Sequence, residues 1–277
     1  MTAAPTLLAD GFVFPEGPRW HDGELWFSDM HGEAVYRVTL AGQVTEVLRL
    51  PGEKPSGLGF LPSGDLLIVA MRTKQLLRLE GAGTTVHAEL AHLVTDELND
   101  MVVDLNGRAY VGTLPHERDA GVLVKVEPDG SALVVARDLD TPNGLVITPD
   151  GSTLIVTESR GRRHTAYDIQ PDGSLSGRRV IVEHPEAAGD GLTLDAAGGL
   201  WAALPLAFAV VRLLPGVGVT SRIDLGTFMP GACMLGGPER KTLFILSAPH
   251  WSAVELAGRR EGRIETVQVD VPGVGLP

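Results

Sequence analysis

Cysteine is almost absent from this chain. Cys233 stands alone among 277 residues, so no disulfide can form within the chain and the fold must be held by packing and hydrogen bonds. In its apolar, small-residue surroundings Cys233 reads as a core residue; a nucleophilic thiol would need a basic neighbour, and the flanking sequence has none. Basic residues are outnumbered, 23 Lys and Arg against 35 Asp and Glu, for a formal net charge of −12. That balance excludes nucleic acid and an anionic membrane surface as expected partners, because both require basic patches. Long apolar runs are missing too, and Met1 to Asp10 lacks a basic segment followed by an apolar core. The chain is therefore expected to be soluble and cytoplasmic, with no membrane contact.

Turn chemistry is abundant, with 34 Gly and 19 Pro and no polar low-complexity stretch. A short apolar strand, a tight turn and a second apolar strand recur six times, beginning with His21-Asp22-Gly23-Glu24-Leu25-Trp26-Phe27 and ending with Gly236-Gly237-Pro238-Glu239-Arg240-Lys241-Thr242-Leu243. The turn glycines of the first five units, Gly23, Gly64, Gly107, Gly151 and Gly198, lie 41, 43, 44 and 47 residues apart. Runs such as Leu66-Leu67-Ile68-Val69-Ala70 are short and β-branched, as buried strands are. Val35-Tyr36-Arg37-Val38 and Leu76-Leu77-Arg78-Leu79 alternate like half-exposed outer strands, and Glu127-Pro128-Asp129-Gly130 supplies a turn. This period, with four strands per unit, predicts an all-β six-bladed propeller built around a central channel, with residues 1–277 forming one domain and the N- and C-terminal segments closing the ring.

A propeller brings the starts of its innermost strands together near the axis. Glu16, Asn99, Asn143 and Asp190 lie 7, 8, 8 and 8 residues before the turn glycines of their units. Taken singly, a Pro-Glu-Gly-Pro bend or an Asn-Gly pair is a turn. Four oxygen-bearing residues at one phase of a repeat are not explained by turn propensity, since reversal in each unit already has its own glycine. The second unit offers Ser56 at this phase and the sixth offers a residue between Met229 and Ala232. Two carboxylates and two amides make an all-oxygen donor set suited to a hard divalent cation, Ca²⁺ first, with Mg²⁺, Mn²⁺ or Zn²⁺ as alternatives. Irregular stretches carry His31, His116, His164 and His250, and His116 is a candidate substrate contact at the channel mouth. Met30, Leu114, Phe208 and Trp251 would form an apolar wall there.

Phe14-Pro15-Glu16-Gly17-Pro18 with Leu25-Trp26-Phe27-Ser28-Asp29, Asn99-Asp100 with Asp104, Pro142-Asn143-Gly144 with Asp150-Gly151, and Asp190-Gly191-Leu192 with Asp195 together resemble the SMP-30/gluconolactonase (regucalcin-like) family over essentially the whole chain. The resemblance implies a six-bladed propeller with one axial divalent cation held at positions matching Glu16, Asn143 and Asp190, and with Asn99 contacting the metal or the substrate. Sugar-lactone members usually carry arginine two residues before that asparagine; this chain has Glu97, a substrate-binding candidate that accepts hydrogen bonds where a guanidinium donates. The expected activity is metal-dependent hydrolysis of a small-molecule lactone or related ester, the metal polarising the carbonyl and activating water. Asp190 is the first candidate for general base and Asp100 the second. A phosphotriester hydrolase of the same architecture and a non-catalytic calcium- or small-molecule-binding propeller are the alternatives.

Overall fold

A computed structural model describes residues 4–115, 120–183 and 187–276. Six four-stranded antiparallel sheets form the ring that the repeat predicts. The innermost strands of blades 1 to 6 are Pro15–His21, Pro55–Phe60, Glu97–Val103, Pro142–Ile147, Leu192–Leu194 and Met229–Gly236. Within blades 1 to 5 the strands follow one another outward in chain order, so each blade is a local meander. In the sixth, Met229–Gly236, Thr242–Ala248 and Gly262–Gln268 are completed by the N-terminal strand Thr6–Phe12. Pairing of Thr6 with Thr266 and of Phe12 with Gly262 joins the first strand to the last and closes the ring without a free edge between the two ends.

Alternating strands present one apolar face to each neighbouring blade, and each of the six interfaces accordingly has its own apolar cluster. Leu61, Val69 and Met71 of blade 2 meet Leu98, Met101 and Val111 of blade 3. Phe12, Met234 and Phe244 of blade 6 meet Leu25, Phe27 and Tyr36 of blade 1. Fully buried side chains such as Phe27, Met101 and Phe244 each contribute on the order of 1.5–3 kcal/mol of transfer free energy. This distributed packing takes the place of disulfides.

The C-terminal segment packs at one end of the channel. Ile147 and Leu276 exchange backbone hydrogen bonds of 2.8 and 3.0 Å, and Val274 N–H donates to Leu194 O at 3.0 Å. The C-terminal segment thus crosses the ends of the inner strands of blades 4 and 5, leaving the opposite end, where those strands begin, as the mouth.

Candidate functional site

The inner strands do not begin as regular ladders. In blade 1 the three steps from Glu16 to Arg19 face the two steps from Ser28 to Trp26. The same one-residue excess occurs from Pro55 to Leu58, from Leu98 to Met101, from Pro142 to Leu145 and from Pro230 to Ala232. A bulge re-aims the side chain it carries, and here it recurs within a residue of the same place in five blades. In blade 5 the start of the inner strand is held instead by Asp190 N–H to Ala203 O at 2.9 Å and Ala203 N–H to Gly191 O at 3.0 Å. The ring of equivalent positions reads Glu16, Ser56, Asn99, Asn143, Asp190 and Pro230.

The position after each ring residue is Gly17, Gly57, Asp100, Gly144, Gly191 and Gly231. Backbones of neighbouring blades touch here: a Cβ on Gly57 would lie 2.4 Å from Met101 N, and one on Gly144 would lie 2.7 Å from the Gly191 Cα. Asp100 is the one side chain in this layer, and it is buried. Its Oδ1 accepts from Met101 N–H at 2.8 Å and from Arg19 Nη2 at 3.0 Å.

Three carboxylates from blades 1, 3 and 5 sense one another at the axis. Burial pushes Glu16 well above the ordinary carboxylate range; the nearby Ser56 hydroxyl offsets part of this, while the negative charges of Asp100 and Asp190 add to it. Glu16 Oε1 and Ser56 Oγ are both buried without a hydrogen-bond partner. Asp190 is pushed up to about 7, by burial first and by the charge of Asp100 second, with the Asn143 amide and the Gly191 N–H opposing. Burial also raises Asp100, against the pull of Arg19. The Asn99 amide nitrogen donates to Pro142 O at 3.1 Å, and that of Asn143 to Ser159 Oγ at 3.3 Å, Ser159 being tied in turn to Gly189 O at 2.7 Å. Among the described residues no group of three or more His, Cys, Asp or Glu is arranged to hold a metal. The donor set on offer is two carboxylates and two amides. It fits a hard divalent cation, because among the described residues neither Glu16 nor Asp190 forms an ion pair and Glu16 has an orphaned oxygen.

Two residues before the ring lies the rim, with Lys54 and Glu97 at equivalent places in blades 2 and 3. Lys54 Nζ donates to both Glu97 oxygens, at 3.1 and 2.8 Å, so the charge of Glu97 is matched by a partner 43 residues away in the chain. Lys54 also lines a cleft of about 480 Å³ with Met30, His31, Arg72, Leu256 and Arg260. His31 Nε2 lies 3.1 Å from Trp251 O, and burial holds this imidazole below its usual pKa. Trp251 is exposed on the rim, as is Leu114, while Met30 and Phe208 are half-buried. His250 Nδ1 accepts from Ser252 N–H at 2.9 Å and shapes the loop. His164 is no loop residue: it is buried in the strand Arg163–Ile169, because Thr157 Oγ1, 3.3 Å from Nδ1, gives it a polar partner inside blade 4. His116 lies outside the described residues. Cys233 is buried, its Sγ donating to Trp201 O at 3.3 Å.

The sequence reading missed Arg19, Lys54 and the carboxylates that fasten the connections between blades. Asp29 accepts from Val13 N–H and Phe14 N–H, and Glu158, at the same strand end in blade 4, accepts from Asp140 N–H at 2.8 Å. Glu53 does the converse, reaching from the connection to Arg72 N–H and Thr73 N–H. A charged residue at the end of an otherwise apolar strand was the available signal.

A six-bladed propeller with Glu16, Asn99, Asn143 and Asp190 at one phase of its inner strands defines the class. Residues 14–249 match the SMP-30/Gluconolactonase/LRE-like region, and the chain belongs to that family. It is 29% identical to a 6-deoxy-6-sulfogluconolactonase of Pseudomonas putida over 96% of this chain and 94% of that protein. It is 29% identical to a pentonolactonase of Haloferax volcanii over 84% and 81% respectively. The crystal structure of a calcium-binding protein, regucalcin, from Agrobacterium tumefaciens superposes with a TM-score of 0.85 at 23% identity, covering 100% of this chain and 97% of that one, a likeness of fold.

Proposed function

We propose that this protein is a divalent-cation-dependent hydrolase of a small-molecule lactone. The observation that carries the reading is the buried carboxylate Glu16, with one oxygen unpartnered, at one phase of the inner strands with Asn99, Asn143 and the half-buried Asp190, in a chain whose relatives include lactonases. Glu16, Asn143 and Asp190, with Asn99 directly or through water, would hold the cation, with Ca²⁺ as the first candidate. When bound, it supplies electrophilic polarisation of the lactone carbonyl and a lowered pKa for water.

The residues do the rest. Asp190 is the base: a carboxylate beside the place the cation would occupy, it would take the proton of the attacking water. Water oxygen bonds to the carbonyl carbon, the ring C–O bond breaks, and the proton held on Asp190 passes to the departing ring oxygen, leaving an open hydroxy acid. Asp100 is less suited to this task, because its Oδ1 already accepts two hydrogen bonds. Assay of the metal-stripped and the Ca²⁺-reloaded protein on a panel of lactones, aryl esters and phosphotriesters tests the reading. Restored lactone turnover is expected; calorimetric cation binding with no turnover of any class would make this a binding protein instead.

A further inference from the structure

Two positions depart from the six-fold rule of the inner strands, and they find each other. In the layer after the ring, five blades have glycine and the third has Asp100. Two layers further in, the blades have Gly59, Val102, Val146, Thr193 and Cys233, and the first has Arg19. An uncharged repeat position replaced by a guanidinium meets a glycine position replaced by a carboxylate. Arg19 is buried, and from blade 1 it reaches past blade 2 to Asp100 Oδ1 at 3.0 Å and to Met101 O, while Nη1 donates to Pro18 O at 2.6 Å. Among the described residues, Arg19 is the cation that pairs with this cluster of Glu16, Asp100 and Asp190, through Asp100. Glu16 is more than nine-tenths buried with Oε1 unpartnered, which marks the cluster as a place prepared for a ligand rather than a solvated acidic patch.

We infer that Arg19 sets the charge of the axial site: paired with Asp100, it leaves three carboxylates with a net charge of minus two, which matches one divalent cation and disfavours a trivalent one. The inference rests on the cation reading above. A guanidinium is suited to the task because it stays charged in a buried setting where an ammonium would be neutralised more readily. Its removal would leave the Asp100 charge unmatched beside the other axial carboxylates, and that excess favours a trivalent ion over a divalent one.

The test is calorimetric titration of the metal-free protein with Ca²⁺ and with Tb³⁺, read as the ratio of the two dissociation constants. Arg19→Met should raise the preference for Tb³⁺ by roughly tenfold or more, since one unit charge acts through an effective dielectric of about 20. The double variant Arg19→Met with Asp100→Asn restores a net of minus two and should bring the ratio back to within about threefold of native. Asp100→Asn alone keeps the acceptor Oδ1 for Arg19 and should move the ratio the opposite way, with weaker Ca²⁺ binding; this arm stands even where Arg19→Met does not fold. An unmoved ratio in Arg19→Met, a double variant that stays shifted, or an Asp100→Asn ratio at or above native would overturn the inference. A native protein that binds neither ion would overturn the cation reading itself.

Discussion

Replacing Glu158 by Gln keeps shape and one acceptor but removes a charge that four groups hold in place. Arg163 Nη2 and Nε reach it at 2.7 and 3.1 Å, Arg178 Nη2 at 3.2 Å, Asp140 N–H at 2.8 Å, and Thr165 Oγ1 donates as well. Burial alone would raise this carboxyl, but the donors outweigh it and hold it at about 2, against 4.5 for a free glutamate. The folded value is depressed, so the stabilisation is complete above the unfolded pKa and is lost as pH falls through the folded one. At 1.36 kcal/mol per pKa unit the charge contributes about 3 kcal/mol at pH 7 and about 1 kcal/mol at pH 3. Urea unfolding of native protein and Glu158→Gln at both pH values measures it: a gap of about 3 kcal/mol at pH 7 should shrink to about a third at pH 3. A gap below about 1 kcal/mol at pH 7, or one independent of pH, would refute the reasoning. Glu158 also fixes Asp140, three residues before Asn143, so the variant should weaken Ca²⁺ binding where a distant charge change would not.

Asp190→Asn should abolish lactone turnover and Glu16→Gln should lower Ca²⁺ affinity at least tenfold; calorimetry with unchanged affinity in both would place the ion elsewhere. Gly144→Ala puts a Cβ against the Gly191 Cα at 2.7 Å and Asp190 O at 2.8 Å, contacts that backbone cannot easily relieve, so thermal unfolding should show a loss of about 1–3 kcal/mol. Glu97→Gln frees Lys54 from its ion pair and should raise kcat/KM for an acidic lactone relative to a neutral one, with Glu97→Arg raising it further. A ratio that moves in neither variant removes Glu97 from substrate choice.

Blade number, blade boundaries and the phase of Glu16, Asn99, Asn143 and Asp190 are legible in the chain itself, because each blade is a run of consecutive hairpins. Glycine and proline mark the reversals locally, and rotation then maps equal phase onto equal place. The use of the N-terminal segment to close the ring follows from the same count. Pairings between blades leave no such trace. Arg19 and Asp100 are 81 residues apart, and nothing around Arg19 in Gly17-Pro18-Arg19-Trp20 says that its side chain turns inward; the bulge between Glu16 and Arg19, and the close approach of the blade 3 backbone to Gly57, exist only in the folded ring. Glu97 reads as an uncompensated charge until the rim brings Lys54 to it, and His164 reads as a loop residue until Thr157 offers it a buried partner. The C-terminal segment finds its backbone partners only when Ile147 and Leu194 end at the same end of the channel. Local hydrogen bonding and turn chemistry write the repeat, whereas the charge balance at its axis depends on which side chains the closed ring forces to share one low-dielectric space.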